Sequence, residues 1–505
     1  MPLINSIVSW FNTKRLSQID FFKKHPVETQ NQTLLQLLEQ ARSTEWGKKH
    51  HFQSITSPEE FKNRLPVQSY PDIKPYVDRL RKGEQNLLWP SEIKWFAKSS
   101  GTTQTKSKFI PVSSEALENC HFRGGKDILA LYTNLYPDTN IFLGKGLTLG
   151  GSHQINNFSN ESYYGDLSAI LIQNLPFWAN FIRTPETSIA LMDEWEEKIH
   201  KMAIATIQEN VTSLSGVPSW YLVLLKYILE YTGKENLHEI WPNLELFVHG
   251  GVSFTPYREQ YKKLLPKPDM HYMETYNASE GFFGIQDDPE DDAMLLMLDY
   301  GVYYEFIPME HFHQEQPPVI GLDEVELNKN YALLISTNGG LWRYRIGDTI
   351  HFTSKYPYKF KISGRTKLFI NAFGEELIID NAEKALKLAC EKTNAIIREY
   401  SAAPVFMSDD QKGGHEWLIE FEKKPESIEK FGFELDMALR SLNSDYEAKR
   451  YKNITLDPPI ITLARNDLFY DWLKSKGKLG GQNKVPRLCN DRKLMEELLQ
   501  LNQAE

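Results

Sequence analysis

The chain has 505 residues, of which 41% are apolar and 25% are charged, a composition typical of globular proteins. Its formal net charge is −10, and its lysines and arginines are spread along the chain, which argues against a nucleic-acid-binding protein. This length exceeds a single ordinary hydrophobic core, so we expect at least two domains.

The cysteines and the apolar segments restrict the cellular setting. Cys120, Cys390 and Cys489 lie far apart and form neither a disulfide framework nor a metal-binding pair. No segment reaches the roughly 18–20 consecutive apolar residues that cross a bilayer. Near the N-terminus Lys14 and Arg15 follow the apolar residues, whereas a signal peptide has them first. We therefore expect a cytoplasmic protein that has no membrane partner.

The first hundred residues read as helices without evident chemistry. Thr33 is expected to cap a helix that runs through Ala41 and ends near Gly47. Further helices are predicted to start at Pro58 and to run from Tyr70 to Lys82. We interpret these helices as packing elements.

A hydroxyl-rich loop follows the strand-like residues 95–97. It reads Ser99, Ser100, Gly101, Thr102, Thr103. Gly101 allows a tight turn and close approach of a ligand, and the hydroxyl groups can donate hydrogen bonds to a polyphosphate. A plain polar turn is the alternative, and the spacing of the common P-loop is absent.

The middle of the chain alternates helices with strands that end in polar or glycine-rich turns. A helix from Ser114 to Leu131 is expected to be interrupted at residues 123–125, where Arg123 pairs either with a substrate carboxylate or with a surface acid. The strand 244–248 leads into Gly250 and Gly251, whose bare backbone suits a flat ring or a phosphate.

Two further strands end in polar segments. Residues 271–276 lead into Asn277, Ser279 and Glu280, and residues 331–337 lead towards Asp348. Strands alternating with helices, with polar loops at the strand ends, predict an α/β domain that binds its ligand at the carboxyl ends of the strands.

The sequence changes character near residue 364. Shorter and more highly charged strands and helices follow, which predicts a small α+β domain. We predict a large N-terminal domain over 1–364, a hinge over 365–375 and a small domain over 376–505. Near its end a basic, glycine-rich loop contains Lys484, and this loop either meets an anion or is simply solvated.

Three of these segments, in this order, resemble the nucleotide-binding motifs of the auxin-responsive Gretchen Hagen family of acyl acid–amido synthetases, within the firefly-luciferase-like adenylate-forming superfamily. The segments are Ser99-Ser100-Gly101-Thr102-Thr103, Tyr276-x-x-Ser279-Glu280 and Tyr344-Arg345-x-Gly347-Asp348. The resemblance implies a large α/β domain of the luciferase-like type and a smaller, mobile α+β C-terminal domain. It extends over nearly the whole chain. In plant members the first motif commonly continues with Gly-Glu, whereas this chain has Gln104-Thr105-Lys106, so the plant loop does not transfer beyond Thr103.

The resemblance also implies an activity. Family members use ATP and Mg²⁺ to convert a carboxylic acid to an acyl-adenylate, with release of pyrophosphate. An amine, commonly an amino acid, then displaces AMP and forms an amide. An adenylate-forming enzyme with a thiol acceptor such as coenzyme A, and a non-catalytic acid- or nucleotide-binding relative, are the alternatives.

Residue roles follow from the same resemblance. The implied nucleotide-binding residues are Ser99, Ser100, Gly101, Thr102, Thr103, Gly250, Gly251, Tyr276, Asn277, Ser279, Glu280, Asp348 and Arg365. Glu280 is the expected Mg²⁺ ligand, and Thr102 is expected to stabilise charge on the phosphate in the transition state.

The remaining roles concern the base, the ribose and the α-phosphate. Gly250 and Gly251 would lie along the adenine, with Tyr276 stacked on it. Asp348 would accept hydrogen bonds from both ribose hydroxyl groups, and Arg365 would bridge ribose or phosphate. Lys484 would bring positive charge to the α-phosphate when the small domain rotates.

Overall fold

The structure is a computed structural model. It describes residues 3–99, 108–151, 156–159, 162–192, 194–251, 254, 257–312, 314, 316–366, 369–370, 375, 377–406, 413–443, 446–447, 450, 456–478, 484–489 and 491–503. None of the helices in these ranges is both long enough and apolar enough to cross a bilayer.

The secondary structure alternates helices and strands through most of the chain. The helices are α1 (Leu3–Lys24), α2 (Pro26–Ala41), α3 (Glu45–Lys49), α4 (Pro58–Arg64), α5 (Tyr70–Leu80), α6 (Ser114–Ala116), α7 (Phe122–Leu135), α8 (Leu167–Gln173), α9 (Thr187–Ala190), α10 (Trp195–Ile207), α11 (Pro218–Thr232), α12 (Arg258–Leu264), α13 (Ile379–Thr393), α14 (Ile428–Leu442), α15 (Leu468–Ser475) and α16 (Lys493–Gln503). The strands are β1 (Trp95–Ser99), β2 (Lys108–Val112), β3 (Lys145–Thr148), β4 (Asn156–Ser159), β5 (Ser162–Gly165), β6 (Arg183–Thr184), β7 (Val211–Gly216), β8 (Leu246–Gly250), β9 (His271–Ala278), β10 (Gly281–Ile285), β11 (Met294–Leu296), β12 (Val302–Pro308), β13 (Asn330–Thr337), β14 (Tyr344–Lys355), β15 (Tyr358–Arg365), β16 (Phe369–Ile370), β17 (Leu377–Ile378), β18 (Ile396–Val405), β19 (Gly414–Lys423) and β20 (Ile460–Leu463).

Helix α2 differs from the expectation at both ends, since it ends at Ala41 rather than near Gly47. Thr33 does not cap a helix, because α2 already begins at Pro26, a residue type favoured in the first turn. The hydroxyl of Thr33 instead donates to the carbonyl oxygen of Thr29 at 2.9 Å, within the helix. The cap prediction was wrong. In a sequence, a threonine inside a helix that bonds to a preceding carbonyl oxygen cannot be distinguished from a threonine that caps a helix.

A large mixed sheet organises the N-terminal part. Its strand order is β12-β13-β14-β15-β11-β10-β9-β8-β7-β3-β6. In this order, the five strands from β6 to β9 run parallel to one another. Each remaining pair of neighbours, from β9–β10 to β13–β12, is antiparallel. Buried apolar residues such as Leu246 and Phe247 in β8 are typical of parallel strands that are covered on both faces.

A second sheet frames the hydroxyl-rich loop. Its order is β2-β1-β5-β4, and the antiparallel pair β1–β2 brings Ser99 opposite Lys108. This pairing anchors both ends of the connecting segment 100–107. That segment itself lies outside the described residues.

The C-terminal part has its own small sheet and core. Strands β18, β19 and β20 form the sheet, and α13 and α14 pack against each other beside it. Ile370, Leu386, Trp417 and Leu435 belong to a core cluster separate from those of the large part. This architecture confirms the predicted fold class. The boundaries at 364 and 376 stay a prediction, and most of the expected hinge lies outside the described residues.

Candidate active site

A deep cleft with a volume of about 2070 Å³ lies at the carboxyl ends of β8 and β9 and extends to the small domain. The cleft brings together many of the residues singled out from the sequence. They are Gly250, Gly251, Tyr276, Asn277, Ser279, Glu280, Asp348 and Lys484. Residues more than two hundred positions apart in the chain therefore line the same cleft.

Asp348 is held in place by a tyrosine on another strand. The hydroxyl of Tyr276, on β9, donates a hydrogen bond to Oδ2 of Asp348, on β14, and both side chains are buried. Gly347 has φ = +97°, and its carbonyl oxygen accepts from the Thr366 N–H at 2.8 Å. The left-handed turn at Gly347 therefore presents the Asp348 carboxylate to the cleft.

The backbone of Arg365 lies beside the backbone of Asp348. Strands β14 and β15 pair Asp348 directly with Arg365. The position is thus next to the expected ribose site, whereas the side chain of Arg365 lies outside what the structure describes.

The glycine pair at the end of β8 permits two close approaches. A Cβ on Gly250 would collide with the carbonyl oxygen of Thr275 on β9. Gly251 has φ = +81°, and a Cβ there would lie 3.4 Å from Nζ of Lys484. The ammonium of Lys484, from the small domain, therefore lies against the end of β8.

The turn between β9 and β10 carries Ser279 and Glu280. Ser279 is buried, Glu280 is half-buried, and both face the cleft. Burial raises the pKa of the nearby Tyr344, and the negative charge of Glu280 raises it further. The Glu280 carboxylate is therefore close enough to Tyr344 to affect its ionisation.

These residues fit a magnesium ion that arrives with the nucleotide. Within the described ranges, no group of three His, Cys, Asp or Glu side chains could hold a metal by protein ligands alone. Mg²⁺ in nucleotide-using enzymes is commonly held by one or two carboxylates together with the substrate phosphates. The Glu280 carboxylate meets this requirement.

His121 is a cleft residue that the sequence did not reveal. Its Nδ1 lies 2.9 Å from Oδ1 of Asn277, and burial lowers the pKa of the imidazole to about 4. The ring is therefore neutral near pH 7, with Nδ1–H as the donor to the amide oxygen. His121 ends a π-helical turn over 117–121. Such turns are often found at functional sites, but they cannot be recognised in a sequence.

Arg123 takes the second of its two predicted alternatives. Its guanidinium pairs with Asp299 at 3.0 Å. The expected helix break at residues 123–125 was wrong, because α7 runs through both glycines. A Cβ on Gly124 would collide with the ring of Phe282, so this glycine allows close packing between α7 and β10.

The phosphate-loop residues can be located only in part. Ser100, Gly101, Thr102 and Thr103 lie outside the described residues, as does the side chain of Ser99. The first described residue after this loop, Lys108 of β2, nevertheless lines the cleft. The loop therefore joins β2 beside the cleft. The role of this loop stays a prediction.

A largely buried ionic network of the small domain is hydrogen-bonded to the large one. Arg487 donates to Glu383 at 2.5 Å, to Glu399 at 3.1 Å and to the Tyr257 hydroxyl at 2.8 Å. Tyr257 precedes α12 of the large domain, and the other three belong to the small domain. The network sets the position from which Lys484, three residues before Arg487, reaches Gly251.

Family models cover most of the chain. Those described as the GH3 family N-terminal, central and C-terminal domains match residues 15–270, 295–365 and 380–493.

Curated relatives from Arabidopsis thaliana match along nearly their whole length. The indole-3-acetic acid-amido synthetase GH3.3 is 24% identical, with 98% of this chain and 95% of the relative covered. The 4-substituted benzoates-glutamate ligase GH3.12 is 25% identical, with 87% and 89% covered.

Solved structures agree on the fold. The GH3.15 acyl acid amido synthetase superposes with a TM-score of 0.79 at 18% identity, covering 97% of this chain and 96% of that one. A 2-hydroxyisobutyryl-CoA ligase in its postadenylation state has a TM-score of 0.59 at 12% identity, covering 94% and 91%. The adenylate-forming fold and the enzyme class of acyl acid amido synthetase, both expected from the motifs, are confirmed. The chain belongs to the GH3 family.

Proposed function

We propose that this protein activates a small carboxylic acid as an acyl-adenylate and joins it to an amine, most simply an amino acid, in an amide bond. The observation that carries this proposal is the cleft in which the ends of β8, β9 and β14 meet Lys484 of the small domain. In the first step a carboxylate oxygen attacks the α-phosphorus, and pyrophosphate leaves. In the second step the amine attacks the acyl carbonyl carbon, loses a proton and releases AMP.

The nucleotide is held at the ribose and the base. The Asp348 carboxylate accepts hydrogen bonds from the ribose hydroxyl groups, while Tyr276 keeps the carboxylate in one orientation. Adenine lies along the backbone of Gly250 and Gly251, which line the cleft.

Charge at the phosphates is balanced from both domains. Glu280 would hold Mg²⁺, and the ion would neutralise phosphate charge. The Lys484 ammonium supplies positive charge at the α-phosphate, which favours attack by an anionic carboxylate. The close approach of Lys484 to Gly251 supports this role.

The acyl group is apolar, as judged from the cleft wall. Helices α7, α8 and α11 contribute Ile128, Leu129, Leu171 and Trp220 to the lining. Ligand pockets of this kind bind apolar groups and orient them with a few polar side chains. The named relatives act on acids with aromatic rings, indole-3-acetate and 4-substituted benzoates.

Product analysis tests the proposal. The purified protein is incubated with ATP, Mg²⁺, a panel of aryl and aliphatic acids and mixed amino acids, and products are identified by mass spectrometry. We expect acid-dependent pyrophosphate release and an acyl–amino acid conjugate. Pyrophosphate release without amide, but with a thioester when coenzyme A is added, would instead identify a thiol-using ligase. No pyrophosphate with any acid would identify a non-catalytic relative.

The setting of the reaction also remains a proposal. We place the enzyme in the cytoplasm, with small molecules as its partners and neither a membrane nor a nucleic acid. Separation of cell extracts into membrane and soluble fractions, followed by detection of the protein, tests this placement.

A further inference from the structure

One face of the large sheet leads from the expected nucleotide site to the edge strand β6. Strand β8 ends at Gly250, and Leu246 precedes this residue by four positions, so both lie on the same face of the sheet. The parallel register pairs Leu246 of β8 with Ser213 of β7. Gly146 of β3 continues the same row, between Ser213 and Arg183 of β6. Arg183 therefore lies on the same face as Gly250, three strands away.

A groove of the cleft follows this face beneath helices α7 and α8. Leu246 shares a core cluster with Ile128 of α7 and Ile170 of α8, so these helices cover the face. Small residues of β3 and β7 and apolar residues of the two helices line the groove, namely Gly146, Ser213, Ser215, Ile128, Leu129 and Leu171. Three strand spacings separate β8 from β6, which is roughly 14 Å. The groove therefore suits an elongated apolar chain.

Arg183 lies at the far end of this groove. It lines the cleft, and its side chain belongs to a residue that is only 8% exposed. Its Nε and Nη2 donate to Oδ1 of Asn180 at 3.1 and 2.9 Å, and Nη2 also donates to the Thr187 hydroxyl. Nη1 is shielded from solvent and has no acceptor among the residues that the structure describes. The guanidinium is thus held in one orientation with one nitrogen still able to donate.

The charge of Arg183 also lacks a counterpart. Burial lowers the pKa of this guanidinium, and no acidic group in the described part of the chain raises it. The group stays charged, because arginine keeps its proton in proteins. Arg487, which also lines the cleft, is by contrast paired with Glu383 and Glu399. Since a buried charge without a partner is unfavourable, a negatively charged ligand group would supply what Arg183 lacks.

We propose that the protein activates elongated dicarboxylic acids and that Arg183 binds the carboxylate at the far end. This inference rests on the proposed function, which places the α-phosphate, and hence the reacting carboxylate, at Lys484. The reacting carboxylate forms the bond to the α-phosphorus as pyrophosphate leaves. The distal carboxylate accepts a hydrogen bond from Nη1 of Arg183 and takes no part in either step. The apolar chain between the two carboxylates lies along the groove.

A purely structural role for Arg183 predicts a different outcome. Its hydrogen bonds to Asn180 and Thr187 would then only hold the chain on either side of β6. Loss of the guanidinium would in that case affect the use of every acid to the same extent. Selectivity between acids of equal length therefore separates the two roles.

The wild-type protein provides the first measurement. Acid-dependent ATP–pyrophosphate exchange is followed with a homologous series of linear α,ω-dicarboxylic acids and with the monocarboxylic acids of equal chain length. At the length that reaches Arg183, kcat/KM for the diacid should exceed that for the monoacid about tenfold or more, because a charge-assisted hydrogen bond is gained. Values for the diacid that are equal or lower at every length would overturn the inference.

Substitution of Arg183 provides the second measurement. In Arg183→Met, kcat/KM for the preferred diacid should fall about tenfold, whereas the value for the matching monoacid should not fall. An equal fall for both acids would indicate the structural role and overturn the inference. The comparison of acids in the wild-type protein decides the matter alone if this variant does not fold.

A matched control removes a neighbouring positive charge. Lys145 precedes Gly146 on β3, and its ammonium is paired with Glu209 at 2.7 Å. Lys145→Met should therefore keep the wild-type preference for the diacid. Loss of the preference in this variant as well would show that general surface charge, rather than Arg183, selects the acid, and would overturn the inference.

Failure of the inference can be separated from failure of the proposed function. Exchange with monoacids but without a preference for diacids would leave the proposed function intact and refute the inference. If the wild-type protein shows no exchange with any acid, the proposed function is wrong, and calorimetric binding of the same acids decides the role of Arg183. Tighter binding of a diacid than of its matching monoacid, lost in Arg183→Met, supports the role. Equal binding of the two acids, or no binding, refutes it.

Discussion

The hydroxyl of Tyr276 donates a hydrogen bond to Oδ2 of Asp348, which ties β9 to β14 beneath the cleft. The two residues are separated by 72 positions in the chain. Because one carboxylate oxygen is held by the tyrosine, the carboxylate is oriented before a nucleotide arrives. Such preorganisation reduces the entropy lost on binding.

Removal of the Asp348 carboxylate should weaken ATP binding several-fold or more. Each charge-assisted hydrogen bond to a ribose hydroxyl contributes about 1.5–3 kcal/mol. Calorimetric titration of Asp348→Ala with ATP measures the loss. Tyr276→Phe keeps the aromatic ring and the Asp348 carboxylate but removes the hydrogen bond that orients this carboxylate. We therefore expect a smaller loss of ATP affinity. An unchanged affinity in Asp348→Ala would refute the ribose assignment.

Gly251→Ala should impair adenylation more than it impairs folding. An L-residue at φ = +81° costs about 1–2 kcal/mol of stability, and the new methyl group would occupy the proposed adenine site in van der Waals contact with Nζ of Lys484, at 3.4 Å. We expect acid-dependent pyrophosphate release to fall about tenfold. Release at the wild-type rate would show that Gly251 has no close neighbour during the reaction.

Gly233→Ala is the matched control for that substitution. Gly233 ends α11 with φ = +67°, and a Cβ there would have nothing within 4 Å. Thermal unfolding should show a similar destabilisation by backbone strain in both variants. Only the Gly251 variant should lose pyrophosphate release.

Lys484→Met should slow the first half-reaction selectively. Loss of a positive group at the developing phosphate charge typically costs about 100-fold in rate. Acid-dependent exchange measures this step, and amide formation from supplied acyl-adenylate measures the second. Lys476→Met breaks a surface pair with Glu497 at 2.9 Å and serves as the control. Equal loss in both half-reactions would contradict the assigned role.

Arg487→Met should destabilise the protein markedly. It would leave the Glu383 and Glu399 carboxylates near the domain interface without their shared partner. Removal of one member of a buried ionic network costs about 3–5 kcal/mol of unfolding free energy. Urea unfolding followed by fluorescence measures the change.

An exposed ion pair, which joins the two domains, provides the comparison. Lys474 and Glu196 pair at 2.6 Å, but both side chains are largely exposed to solvent. Lys474→Met should cost at most about 1 kcal/mol. Equal costs for the Lys474 and Arg487 variants would show that burial of the Arg487 network adds nothing to stability.

Acid should destabilise the wild-type protein partly through His121. The unfolded chain takes up a proton below pH 6.5, whereas the folded imidazole does so only near pH 4. Stability is therefore lost as pH falls from 6.5 to 4, by about 1.4 kcal/mol per pH unit for this group. His121→Asn should show a shallower decline in urea unfolding free energy over this range. An identical slope would mean that His121 ionises normally in the folded protein.

Local chemistry singled out several residues that line the cleft before the fold was known. The pair Gly250-Gly251, the segment around Glu280 and the turn at Gly347 each carry residue types that restrict what the backbone and its ligand can do. Their order along the chain also indicated the GH3 family, which the family models confirm. Roles of individual residues in that site stay predictions.

Local sequence pattern gave a wrong or an open prediction where residues from distant parts of the chain determine the structure. Gly124 and Gly125 resemble a helix break, but α7 continues through them because Gly124 must fit against the ring of Phe282. Arg123 could face a substrate or a protein acid, and Asp299, 176 residues away, decides between them.

By itself the sequence determined the order of α/β elements, the small C-terminal domain and the candidate nucleotide motifs, because periodicity and turn chemistry act over a few residues. Tertiary structure alone decided that Tyr276 holds Asp348, that His121 is desolvated beside Asn277, and that Arg183 lines the cleft without an acidic partner among the described residues. Burial and charge at a side chain depend on strands and helices that pack from elsewhere in the chain, and no local pattern encodes those neighbours.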